Sequence, residues 1–208
     1  MNFQSLFSVI QQYFPKVKFK YKKESLIMKL IGLFNPNFMI NVVTRYKNTI
    51  YLPLHLKSHP ISNLIIILHK LVHLNDHTFY YNILYFFPQI LAILCLPLLL
   101  LNWKIFLLFL IICILPWPAY FRMKYEKRAY LSSLYVLFSL SKKLNFDPHI
   151  KIHMNFFLQQ FNNFYYYFMW PFNLEKEFSQ ALDKIEKCQR PFEDPIFDLL
   201  DDIILKIK

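Results

Sequence analysis

Two histidines, His69 and His73, stand four residues apart around Lys70-Leu71-Val72. On a helix that spacing puts the imidazoles about 40° apart on one face, close enough to share a metal ion. In the peptidase pattern H-E-x-x-H the residue after the first histidine is the general base, which takes a proton from zinc-bound water. Here that residue is Lys70, and an ammonium cannot accept a proton. Spacing alone does not single the pair out. His55/His59, His73/His77 and His149/His153 are also four apart. The first precedes Pro60, and the last opens a later helix, where a surface or satisfied core role is the plainer reading.

A third ligand must come from elsewhere in the chain. Glu126 is the leading candidate, in Lys124-Tyr125-Glu126-Lys127-Arg128-Ala129-Tyr130. A glutamate three residues before a small alanine can aim its carboxylate at a metal while the alanine permits close helix packing. The plainer role for Glu126 is a surface ion pair with the neighbouring lysines and arginines. His77 is the alternative ligand. Asp76 fits better as the carboxylate that orients a ligand imidazole from behind.

These residues need elements to hold them. Leu6, Phe7, Ile10 and Phe14 have helical spacing, ended by Pro15. A second helix is expected over 24–34, with Ser25 as its cap. Phe38–Thr44 and Thr49–Leu52 read as strands around the polar turn Tyr46-Lys47-Asn48, forming a β-hairpin. Pro60 then suits the first turn of a helix over about 60–77, which carries the histidines. After residue 122, helices are expected over about 123–143, 148–162, 173–188 and 195–207, punctuated by Pro148, Pro171, Pro191 and Pro195.

From Leu84 to Tyr120 the only formal charge is Lys104. Each half, about 17 apolar residues, is near the lower limit for crossing a bilayer core of about 30 Å. Pro88, Pro97, Pro116 and Pro118 are better tolerated in membrane helices than in soluble ones. The segment therefore reads as a membrane-inserted helical hairpin, with a hairpin buried against protein as the alternative. Arg122, Lys124, Lys127 and Arg128 follow it, and a positive flank places both termini in the cytoplasm.

Composition closes several routes. Gly32 is the single glycine of 208 residues, so no phosphate-cradling glycine loop can form. Cys95, Cys113 and Cys188 make no CxxC pattern, which points to a reducing compartment. The first residues lack a charged start and apolar core, so no signal peptide is expected. The formal charge of +11 suits anionic lipid or nucleic acid. The densest basic run, Lys16, Lys18, Lys20, Lys22 and Lys23, has no nucleic-acid motif beside it, so nucleic acid is the weaker partner.

The chain resembles a family of bacteriophage-encoded metallopeptidases of the zincin, gluzincin-like type. The likeness runs through Glu24–Met28, Asn37-Phe38-Met39, Thr49–Pro53, His69–Asp76, Phe87–Ala92, Leu115–Pro118, Arg122 and Glu126–Tyr130, covering roughly residues 16–172. The resemblance implies zinc (Zn2+) held by His69, His73 and Glu126, with the apolar hairpin between the His helix and the Glu helix. It implies peptide or protein as substrate and the host inner membrane as location. Lys70 departs from the family's glutamate and predicts impaired or absent hydrolysis.

The expected fold is α+β and mainly helical: a zincin-like domain with a small β-hairpin or sheet and an inserted apolar hairpin. Residues 1–83 would form its N-terminal part with the His helix, 84–121 the hairpin, and 122–208 the helical C-terminal part with the Glu helix. Two functions follow. One is a membrane-associated zinc metallopeptidase-like protein impaired at Lys70, in effect a pseudoenzyme. The other is a phage-encoded, membrane-anchored interaction protein with neither metal nor catalysis.

Overall fold

The structure, a computed structural model, describes residues 3–34, 36–41, 43–46, 48–53, 60–75, 83, 93–94, 97, 102–114, 120–161 and 174–206. These form a mainly helical α+β protein with a small sheet. The chain divides into two compact units, Met1–Asn75 with Asp194–Lys208, and Asp76–Glu193.

In the first unit, helix α1 (Phe3–Tyr13) is closed by Phe14, whose amide donates to the Ile10 carbonyl before Pro15. Strand β1 (Lys18–Tyr21) follows, with its lysines exposed and Phe19 and Tyr21 half-buried. That alternation is what a strand with one wet face requires. After a 3-10 turn (Lys22–Glu24), helix α2 (Leu26–Phe34) begins at Ser25, whose hydroxyl accepts from the Met28 amide at 3.4 Å. Helix α3 (Pro36–Asn41) packs back on α2, where a Cβ on Gly32 would stand 2.5 Å from Met39 Cγ. A glycine is what lets the two approach so closely.

Strands β2 (Thr44–Tyr46) and β3 (Thr49–Leu52) pair antiparallel, as the polar turn predicts. β1 joins the other edge of β3 in parallel, with Phe19 opposite Ile50, giving the order β1-β3-β2. Helix α4 (Pro60–Asn75) buries Leu64, Ile65, Ile67, Leu68, Leu71 and Val72.

In the second unit, α5 (Trp103–Ile114) starts at Asn102, whose side-chain oxygen accepts from the Lys104 amide at 2.9 Å. Helix α6 (Tyr120–Leu144) runs 25 residues, then α7 (Ile150–Phe161) and α8 (Leu174–Glu186) pack with it. Leu131, Leu134, Phe157, Phe161, Phe178, Leu182 and Ile185 fill their shared core. Phe161 and Phe178 meet edge to face with ring centres 6.1 Å apart. Three non-glycine residues take left-handed backbone: Asn145 (φ 51°) just after α6, His149 (42°) just before α7, and Cys188 (60°) just after α8.

The last helix, α9 (Ile196–Lys206), returns to the first unit. Asp194 caps it by accepting from the Ile196 amide at 2.9 Å. Lys206 near its end donates to the Tyr13 hydroxyl of α1 at 2.7 Å.

Two expectations change. Phe38–Thr44 is not one strand. Pro36–Asn41 is helical and β2 starts only at Thr44, because Pro36 has the fixed φ of a first helical position. The membrane-spanning hairpin, and with it residence in the host inner membrane, is overturned: among the described residues no helix is long and apolar enough to cross a membrane. α5 has 12 residues, a rise of about 18 Å against a core of about 30 Å. Most of Leu84–Tyr120 lies outside the described residues.

The aromatic core carries a measurable consequence. Truncating Phe178, which is fully buried, removes the ring that meets Phe161 and leaves a cavity among α6, α7 and α8. Phe178→Ala should lower unfolding free energy by about 3–5 kcal/mol in a denaturant titration.

Candidate metal centre

Among the described residues, the buried side of α4 is apolar except at its histidines. His69 and His73 are 8% and 5% exposed, set among Leu68, Leu71 and Val72. Buried polar groups need partners. The two imidazoles turn toward each other, their Nε2 atoms 3.3 Å apart and their rings at 77°. For a nitrogen–nitrogen hydrogen bond this is long. For two ligands of one tetrahedral ion it is the natural spacing: bonds of about 2.0–2.1 Å set the ligand atoms about 3.3–3.4 Å apart. In that arrangement both lone pairs point at the ion and neither nitrogen need be a donor.

Glu126 lies on the buried stripe of α6, at 3% exposure, one turn from Met123 and from the fully buried Ala129. His69, His73 and Glu126 together form a group that could hold a metal ion. Each is buried, and their ligand atoms all lie within 4.8 Å of one another. Two imidazoles and a carboxylate are the donor types that zinc takes in open, water-binding sites.

Other sequence candidates fall elsewhere. Asp76, His77, His55 and His59 lie outside the described residues. His149 is exposed, with Nδ1 3.2 Å from an Asp147 carboxylate oxygen, and His153 is half-buried beside the Phe157 ring. Burial and then His149 push the His153 imidazole below its ordinary value. Among the described residues, neither belongs to a group of three metal-capable side chains.

Lys70 is half-buried on α4. Its charge reaches Lys22, which by sequence belongs to the basic run of the first unit. Lys22 is in fact 1% exposed. Its ammonium donates to the Phe38 carbonyl and stands 3.4 Å above the Phe38 ring. Burial first, and then Lys70, push Lys22 down from 10.5 to about 8. No local signal could have found it: Lys16, Lys18, Lys20 and Lys22 alternate with Val17, Phe19 and Tyr21, which puts Lys22 on the same face as the exposed lysines before it.

No protein-family model, no curated protein and no solved structure matches this chain.

The lowered Lys22 value makes stability depend on pH in a defined direction. Below about pH 8 both folded and unfolded chains hold the proton, and the cost of the buried charge is present in full. Between about pH 8 and 10.5 the folded chain has released it and the unfolded chain has not, so stability rises with pH. Thermal unfolding of the parent should show this rise across that window, and Lys22→Met should lack it.

Proposed function

We propose that this chain is a zincin-like, zinc-binding protein of metallopeptidase type whose hydrolytic step is impaired at Lys70. The carrying observation is the pair of buried imidazoles at 3.3 Å, with the Glu126 carboxylate in the same ligand group. The motif likeness to phage-encoded metallopeptidases, which runs over roughly residues 16–172, supports the same ligand set.

Bound there, zinc would supply Lewis acidity and a water acidified to near neutral pH. The chain's own residues divide the remaining work. His69 and His73 bring two neutral nitrogens on one rigid helix, which fixes their separation before any ion arrives. Glu126 adds a negative charge that offsets part of the ion's. The residue after the first histidine should hold the proton that the water loses, and here it is Lys70. A protonated lysine also adds positive charge beside the ion, disfavouring the metal that the histidines favour. Peptide is the substrate class that the family likeness suggests.

The chain purified without chelators should contain about one zinc per molecule, measured by elemental analysis. His69→Ala should remove the metal while far-ultraviolet circular dichroism stays as in the parent. A metal-free parent that is indifferent to His69→Ala ends the metal reading. Lys70→Glu should raise cleavage of an unstructured peptide by about 10²–10⁴ over the parent. If the variant holds zinc and cleaves nothing, the site is a metal site without peptidase chemistry.

A further inference from the structure

Helix α2 wears its apolar residues on the outside. Leu26, Ile27, Leu30, Ile31 and Leu33 are 73%, 48%, 51%, 41% and 77% exposed. At 100° per residue they fan over about 160° of the helix circumference. Met28 is buried, and Gly32 meets Met39 on the opposite side. Ile40 on α3 adds another aliphatic side chain at 54% exposure. Exposed aliphatics scattered singly need no explanation, whereas a contiguous apolar face marks a surface that something covers.

Charge says what covers it. Lys29 borders the apolar arc and Lys23 precedes the helix, and both are exposed. Lys16, Lys18 and Lys20 on the preceding segment are exposed as well. Across residues 1–75 there are ten lysines and arginines, and Glu24 is the only acidic residue. A partner for this segment must therefore be both apolar and anionic.

The composition of the face decides between a lipid surface and a protein. Its described side chains, along α2 and at Ile40, are leucine, isoleucine and lysine. The tryptophan, tyrosine and arginine anchors that dominate protein–protein contacts are missing from it. An aliphatic ridge edged by lysines has the composition of helices that lie in the plane of a bilayer interface.

We propose that α2 docks the chain onto the surface of an anionic lipid bilayer. Leu26, Leu30 and Leu33 sit at the boundary between headgroups and acyl chains, and Lys23 and Lys29 lie against the headgroups. This is adsorption of a nine-residue helix along the surface, with no segment crossing. It is independent of the metal centre.

Co-sedimentation of the full chain with lipid vesicles tests it. Vesicles of phosphatidylcholine containing phosphatidylserine should bind the chain, phosphatidylcholine alone should bind it far less, and added salt should weaken binding. Leu30→Glu with Leu33→Glu should weaken binding by about a hundredfold or more. Lys29→Gln should weaken it by about fivefold. Both leucines are exposed, so circular dichroism and the melting temperature should stay as in the parent.

Equal binding to the two vesicle types overturns the proposal. So does a Leu30→Glu, Leu33→Glu variant that keeps the parent's affinity, because binding would then come from another part of the chain. A parent that ignores vesicles yet forms dimers abolished by the same pair of substitutions overturns it in favour of contact between copies.

Discussion

Two imidazoles held 3.3 Å apart on a buried helix face impose most of what is specific about this protein. Neutral imidazole is a polar group with one donor and one acceptor, and burying two of them beside leucines is costly unless their nitrogens are used. A regular α-helix between residues 69 and 73 is needed for the two rings to converge. That helix in turn must be anchored, and Leu64, Ile67, Leu68, Leu71 and Val72 anchor it by burying the surface around the histidines. The apolar character of α4 is thus the condition under which a polar pair can be fixed in place, dry and preorganised.

Electrostatics pull against that arrangement. Lys70 shares the helix with both histidines, and Lys22 lies nearly sealed from solvent within reach of its charge. Lys22 finds a carbonyl and an aromatic face at Phe38, which is partial compensation for lost hydration. A carboxylate at position 70 would turn the repulsion with Lys22 into attraction and would oppose a cation held by the histidines. The present lysine does the reverse on both counts. Lysine at position 70 supplies no proton acceptor and sets a like charge near the buried ammonium of Lys22, so one side chain bears on both the chemistry and the stability of this region.

Much of this is legible in the amino-acid sequence. The convergence of His69 and His73 at a four-residue spacing, the Ser25 cap and the Thr49–Leu52 strand all depend on local rules, and those rules hold here. Where sequence and structure part, signals compete. Phe38–Thr44 is rich in residues that favour strands, yet Pro36 starts a helix and defers β2 to Thr44. Lys16–Tyr21 alternates as a strand does, but its density of lysine reads equally as a basic surface run, and β1 stands there. The burial of Lys22 has no local signature, because Phe38 and Lys70, which surround its ammonium, are remote in sequence. The apolar stretch after Leu84 suggests a crossing of the bilayer, since composition measures greasiness and leaves the length of continuous helix open.

The scarcity of glycine has an effect on how the second unit closes its helices. Asn145, His149 and Cys188 all adopt the backbone region where a Cβ crowds the following carbonyl, at a cost of roughly 1–2 kcal/mol for an ordinary side chain. Asparagine bears this most easily, and the His149 amide is steadied by donating to an Asp147 carboxylate oxygen at 2.9 Å. The Cys188 backbone amide donates a hydrogen bond to the Ile185 carbonyl at 2.8 Å, and the ammonium of Lys142 donates to its sulfur at 2.6 Å. At these corners, side-chain contacts and closing backbone hydrogen bonds hold a backbone conformation that glycine would take without the Cβ cost.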